Sequence, residues 1–374
     1  MDAIFLARPS EPPSGTALVV KDLFDTAGLT TTYGSILFVD HVPKESAEAV
    51  RRLEVAGYAN VGKTNLHEFA YGISSQNPHF GTVPNPAAPG RLAGGSSGGN
   101  GAALAAGLAE VALGTDSAGS IRIPAAWCGV VGFKPTWGLV PLDGCFPLAP
   151  SYDTAGPMAT TVEACEQAML ALVPGFDPTT AALEDLRVGI AWTELADPLV
   201  RARAEEIASR FPQRTPIDLP SPEATYEDTY TAFMHEAADV HRELFAEHAD
   251  SYGDNVRPKI EACLAVTDAD AARARDRRAE LRDRFLEATD AVDLVLTPTT
   301  PFVPPPADAD EIAFRRRGIS LTYPFSLLGW PALALPCGSA EDGLPASVQL
   351  VGRPGDDARV LAAGASLVRG TATA

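Results

Sequence analysis

Residues 94–101 read Gly-Gly-Ser-Ser-Gly-Gly-Asn-Gly, and residues 111–124 read Val-Ala-Leu-Gly-Thr-Asp-Ser-Ala-Gly-Ser-Ile-Arg-Ile-Pro. The first run is a glycine-dense loop that opens onto the alanine-rich, helix-favouring stretch 102–109. The second reads as a short apolar strand at 111–113, a small-residue turn ending at Ser120, and a helix from Ile121 onward. A strand, turn and helix in that order deliver Ser120 near a helix N-terminus.

Outward from these loops, residues 17–25 (Ala-Leu-Val-Val-Lys-Asp-Leu-Phe-Asp) read as an apolar strand that meets charge at Lys21. Ala47, Val50, Leu53 and Val55 fall near helical spacing, Gly57 reads as the cap of that helix, and Tyr58 to Val61 reads as a strand. Further on, strands at 188–192, 293–297, 332–336 and 347–351 alternate with helices at 199–210, 223–249, 257–288 and 357–368. That alternation predicts an α/β fold, a single large domain with a mixed central β-sheet flanked by helices. The proline-rich residues 298–306 form a rigid connection within it.

With 374 residues, 46% of them hydrophobic and 21% charged, the chain is long enough for a large buried core. The net charge of −19 opposes attraction to phosphate backbones or anionic lipid, so neither nucleic acid nor membrane is expected as a partner. Cys128, Cys145, Cys165, Cys263 and Cys337 are odd in number and widely spaced, several in apolar runs, which predicts reduced thiols. Neither a signal peptide nor a run of transmembrane length is recognisable, and a cytoplasmic enzyme is the expectation.

Two motifs fail on context. Residues 57–64, Gly-Tyr-Ala-Asn-Val-Gly-Lys-Thr, match the phosphate-loop pattern, but that loop needs a strand before its first glycine, and here a helix precedes it. Gly94-Gly-Ser96-Ser97-Gly98 matches the nucleophile elbow of α/β-hydrolases, but residues 86–93 do not read as a core strand. The downstream His235, His241 and His248 lie in charged helical stretches and read as solvated-face residues. No histidine pair or Cys-x-x-Cys has metal-ligand spacing, so no metal and no cofactor is expected.

What remains is one lysine on an apolar strand and two serine-bearing loops. The set is chemically coherent. A buried lysine loses its proton more readily because desolvation disfavours the ammonium, and the free amine is then a general base. A serine bridging that amine to a second serine relays the proton, and small residues before the nucleophile leave backbone N–H groups for a developing oxyanion.

At this point the sequence resembles the amidase signature family. The match spans nearly all of 94–157, through 94–99, 114–124, Cys-Gly-Val-Val-Gly-Phe-Lys-Pro-Thr at 128–136 and Asp-Thr-Ala-Gly-Pro at 153–157. Weaker matches extend to Val-Lys21-Asp, to 62–70, to Leu-Thr-Pro-Thr at 296–299 and to Gln349-Leu-Val-Gly-Arg-Pro. The resemblance implies one amidase domain over 1–374, with a catalytic core at about 15–157, a variable substrate-pocket region at about 160–290 and C-terminal core elements at about 291–370. It implies Ser120 as nucleophile, Ser96 as a relay serine after a cis peptide from Gly95, and Lys21 as base. The oxyanion hole falls on the backbone N–H groups of Ser117, Ala118, Gly119 and Ser120, with Asp116, Arg122 and Ser97 in support. Ser97 also reads as a capping hydroxyl, and Lys134 as structural.

Departures from the family set further expectations. The usual two glycines before the nucleophile are Ala118-Gly119 here, so a methyl group enters the oxyanion turn. Lys21 lies close to the N-terminus, without the helical arm seen in many relatives, which leaves monomer and homodimer both open. Ile123 stands where the glutaminase (A-type) subunit of a tRNA-dependent amidotransferase commonly has glutamine. The expected activity is therefore stand-alone hydrolysis of a small hydrophobic or aromatic amide, with some likeness to indoleacetamide hydrolases. The amidotransferase component is the alternative, and nucleotide binding through 57–64 the second.

Overall fold

The computed structural model describes residues 3–11 and 13–369. The strands in chain order are β1 (Phe5–Ala7), β2 (Thr16–Lys21), β3 (Tyr58–Thr64), the two-residue pair β4 (Gln76–Asn77) and β5 (Gly81–Thr82), β6 (Val111–Asp116), β7 (Val131–Lys134), β8 (Thr154–Ala159), β9 (Arg187–Ile190), β10 (Gln213–Pro216), β11 (Leu294–Pro298), β12 (Ala332–Ser339) and β13 (Pro345–Val351). The helices are α1 (Glu48–Val55), α2 (Gly98–Ala105), α3 (Arg122–Cys128), α4 (Val162–Leu172), α5 (Pro198–Ala208), α6 (Pro222–His248), α7 (Arg257–Leu264), α8 (Asp268–Ala288), α9 (Glu311–Ile319), α10 (Tyr323–Leu327) and α11 (Asp357–Arg369). One mixed sheet runs β1-β3-β2-β6-β8-β7-β12-β13-β11-β9-β10, with β2 parallel to both β3 and β6.

Alternation of side chains along the central strands sorts the core into two layers. Leu18, Val20, Val111 and Leu113 pack with Leu53 of α1, Met169 of α4, and Val360 and Leu361 of α11. Val19 and Ala112 face the other way, onto Ala102 and Ala103 of α2 and Ala125 of α3. The fold is thus the α/β arrangement expected, a mixed sheet between helices. A third, aromatic cluster joins α6, α7 and α10 to the loops at the ends of β3 and β6.

The differences from the sequence reading lie where packing overrides propensity. Helix α2 begins at Gly98, inside the glycine run. There a Cβ on Gly98 would sit 2.4 Å from Ser75 Oγ, and one on Gly99 would sit 2.4 Å from the Asn65 carbonyl oxygen. Close approach demands glycine at these positions despite its poor helix propensity. The stretch 257–288 is two helices, because Thr267 caps α8 through the Asp270 N–H. His241 is not solvated but buried against Phe69 and Phe146, its Nδ1 2.9 Å from Tyr252 Oη.

The nucleotide reading of 57–64 is overturned. Gly57 directly follows the helix cap, and residues 58–64 are strand β3 itself. Lys63 is fully buried, its Nζ 2.8 Å from Asp22 Oδ1 and 2.7 Å from both the Phe24 carbonyl and Thr31 Oγ1. It is a core ion pair with no freedom to meet a phosphate. Replacing Lys63 by Met should destabilise the protein by about 3–5 kcal/mol, the range for removing one partner of a buried pair. Urea unfolding reads this, and added Mg·ATP should leave the melting temperature of the wild type unchanged.

Candidate active site

The site lies where β2 and β6 end side by side. These parallel strands pair Val20 with Leu113, so the chain direction carries Lys21 and Thr115 to the same sheet edge. Lys21 is fully buried, and its Nζ donates to Ser96 Oγ and to Thr115 Oγ1, each at 2.7 Å. Burial away from water lowers its pKa to about 7, against the opposing influence of Cys145, Asp153 and Asp116. An appreciable fraction of free amine therefore exists at neutral pH.

Ser96 comes from the glycine loop, and the Gly95–Ser96 peptide is cis, where the resemblance implies one. The Ser96 carbonyl accepts from the His67 N–H at 3.1 Å and from Ser75 Oγ at 3.3 Å. The next residue ties the two serine loops together, for Ser97 N–H donates to the Ser120 carbonyl at 3.2 Å. Ser97 occupies the N-cap position of α2, but its hydroxyl donates to the Thr115 carbonyl at 3.3 Å and does not cap. No hydrogen bond joins Ser96 Oγ to Ser120 Oγ among the described residues.

Ser120 is 6% exposed, at the end of a turn held by Asp116. The Asp116 carboxylate accepts from Gly119 N–H at 2.7 Å, from Ile121 N–H at 3.3 Å and from Arg122 Nε at 2.9 Å. Burial alone would raise the Asp116 pKa, but Arg122 more than offsets this and brings it to about 2. Arg122 in turn donates to Gln349 Oε1 at 2.9 Å, to the Thr322 carbonyl at 3.0 Å and to Ser326 Oγ at 2.7 Å. Of the four N–H groups assigned to the oxyanion turn, that of Gly119 is thus already taken by Asp116. Those of Ser117, Ala118 and Ser120 have no acceptor among the described residues.

Several participants escaped the sequence reading. Thr115 shares the Lys21 amine, and Asp153, within the matching 153–157 run, accepts from Ser117 Oγ at 2.5 Å and from the Leu148 and Ala149 N–H groups. Thr322, Ser326 and Gln349 arrive from more than 200 residues downstream and are recognisable only once the sheet is assembled. Lys134 is buried, its Nζ bonded to the Pro135 carbonyl at 2.9 Å, in keeping with a structural role. The five cysteines are all free.

Beside the serine loops stands an aromatic cage. Tyr226, Tyr230 and Phe233 of α6 stack in series, and Tyr323 of α10 meets the first two edge-on. Arg315 of α9 hydrogen-bonds Tyr230 and lies 5.2 Å from the Tyr71 ring centroid, while Lys259 pairs with Glu311. Ile73 N–H donates to Glu311 Oε1 at 3.0 Å, so this cluster leans on the loop that also supports Ser96 through Ser75. Two cations here face a single buried carboxylate.

A buried amine on a serine, a second serine at a turn with free N–H groups, and no histidine in contact define the class of a serine-dependent amidohydrolase. The family model described as Amidase matches residues 3–361, and the chain belongs to the amidase family. It is 35% identical to the A-type component of the glutamyl-tRNA(Gln) amidotransferase of Haloarcula marismortui, with 95% of each chain covered. It is 36% identical to the same component from a Synechococcus species, covering 93% of this chain and 82% of that one. Among solved structures, a crystal structure of an amidase superposes with a TM-score of 0.88 at 38% identity, covering 95% of this chain and 84% of that chain. The corresponding amidotransferase component from Thermotoga maritima superposes with a TM-score of 0.79 at 26% identity, covering 98% and 88%. No helix among the described residues is long and apolar enough to cross a membrane.

The Lys21 amine should titrate near pH 7 in the folded protein, about three units below an unperturbed lysine. Lysine-selective 15N NMR, with Lys21→Met to assign the resonance, measures it. An amine that stays protonated beyond pH 9 would exclude it as the base.

Proposed function

We propose that the protein hydrolyses a carboxylic amide through an acyl-enzyme on Ser120. The observation that carries this is the fully buried Lys21 amine held at 2.7 Å from Ser96 Oγ, with Ser96 and Ser120 on loops joined by a backbone hydrogen bond. In its free-base form Lys21 accepts the Ser96 proton while Ser96 accepts that of Ser120, and the Ser120 oxygen attacks the amide carbon. A rotation of the Ser120 hydroxyl closes this relay, since reacting contacts in a substrate-free site are commonly longer than in the complex. The tetrahedral oxyanion lies against the N–H groups of Ser117, Ala118 and Ser120. The proton then passes back through Ser96 to the departing nitrogen, the C–N bond breaks, and ammonia or an amine leaves. Water repeats the sequence on the ester, freeing the carboxylic acid and restoring Ser120.

For the substrate, the unbalanced Arg315–Lys259–Glu311 cluster favours an amide that also bears a carboxylate. The names of the Haloarcula and Synechococcus relatives point the same way, towards glutamine as amide donor and this chain as one component of a larger enzyme. A second reading, stand-alone hydrolysis of a neutral aromatic amide, has its own support. Ile123, whose Cδ1 lies 2.8 Å from where a Cβ on Gly119 would be, makes the nucleophile turn apolar, and the cage is tyrosine-rich. Ammonia release from glutamine and from an arylacetamide by the isolated chain separates the two readings. Preference for glutamine, lowered by Arg315→Met chiefly through KM, supports the first, and preference for the arylacetamide supports the second.

The chemistry itself has sharper tests. A fluorophosphonate should label Ser120 alone, and Ser120→Ala should be inert yet folded. Lys21→Arg keeps the charge but cannot deprotonate, so kcat should fall by at least about 10²-fold, the lower range for losing a positioned acid–base group. In the wild type, activity should rise with pH through about 7, because the working form of Lys21 is the deprotonated one.

A further inference from the structure

The peptide between Ala118 and Gly119 is gripped at both ends. Its N–H, on Gly119, donates to Asp116 Oδ1 at 2.7 Å. Its C=O, on Ala118, accepts from the hydroxyl of Thr322 at 2.6 Å. The Thr322 hydroxyl also stands 3.2 Å from the Ile319 carbonyl, but with one hydrogen to donate it favours the shorter contact. Two hydrogen bonds on opposite sides of a planar peptide fix its plane.

That plane decides where the neighbouring amides point. With the Ala118 carbonyl drawn towards α10, the N–H groups of Ser117, Ala118 and Ser120 are left without acceptors among the described residues, whereas a reversed plane would turn a carbonyl oxygen on a developing oxyanion. Gly119 fits the same design. Its φ is +134°, and a Cβ there would lie 2.4 Å from Thr322 Oγ1, so the close approach of the threonine and the absence of a side chain require each other. Thr322 itself is fully buried and is held by the Arg122 guanidinium, which donates to its carbonyl at 3.0 Å.

We propose that Thr322 is the positioning residue of the oxyanion turn: its hydroxyl, supplied by the C-terminal half of the chain, holds the Ala118–Gly119 peptide in the orientation that stabilises the transition state. It rests on the Ser120 reading above, and it touches neither substrate nor the reacting atoms. The role is one of direction, and it predicts a loss in kcat with little change in KM.

Thr322→Val keeps the shape and deletes the hydroxyl. Losing one oxyanion donor outright costs roughly 10²–10³ in kcat, so a turn left loosely aimed should lose at least about tenfold. Thr322→Ser should restore most of it. The discriminating readout is affinity for a trifluoromethyl ketone substrate analogue, whose adduct on Ser120 carries the oxyanion. Its affinity should fall in parallel with kcat/KM in Thr322→Val and recover in Thr322→Ser, while affinity for the carboxylate product stays constant. Near-normal turnover in folded Thr322→Val, or lost turnover with unchanged ketone affinity, overturns the proposal. Should Thr322→Val fold poorly by circular dichroism, Thr322→Ala, which adds no bulk, is read by the same criteria. Fluorophosphonate labelling of the wild type is run alongside: failure to label Ser120 removes the underlying reading, whereas labelled Ser120 with an indifferent Thr322 removes this inference alone.

Discussion

The ion pair between Asp116 and Arg122 joins the two halves of the molecule at the point where the chemistry is proposed to occur. Both side chains are wholly buried, a situation tolerated only when each charge is met by a partner and by further hydrogen bonds. Asp116 gathers the amides of the turn, and Arg122 reaches out to Thr322, Ser326 and Gln349. The turn bearing Ser120 is therefore clasped by residues from β13 and α10 as well as by its own strand and helix. Disturbing the pair would leave a charge buried alone and release the turn together with it.

A different use of burial governs Lys21. Asp116 and Arg122 stay charged because they meet, whereas the Lys21 amine meets only hydroxyls, and desolvation lowers its proton affinity. Lys63, on the neighbouring strand β3, shows the contrast within one sheet. It too is buried, but Asp22 neutralises it at 2.8 Å, so it serves the fold. The partner, a carboxylate in one case and two hydroxyls in the other, separates a structural lysine from one suited to accept a proton.

Much of the fold was legible. The apolar runs at 17–20 and 111–113 are buried strands, the later alternation of strands and helices is present, and the phosphate-loop look-alike fails for the reason its context suggested. The errors share a cause. Helix α2 starts inside a glycine run because Asn65 and Ser75 lie against it, and His241 is buried because Phe69, Phe146 and Tyr252 arrive from distant loops. Local propensity carries no information about neighbours that tertiary packing brings in.

The sequence by itself determined the family, the α/β class and which lysine and serines merit testing, because those depend on residue type and order along short segments. Only the tertiary structure decided which groups meet. Thr115 beside Lys21 depends on the parallel register of β2 with β6, and Gly119's engagement with Asp116 depends on the shape of one turn. Thr322 on the Ala118 carbonyl depends on where α10 packs. The Lys21–Thr115 and Thr322–Ala118 contacts span 94 and 204 residues of chain, and sequence spacing does not encode them until the sheet has set the distances.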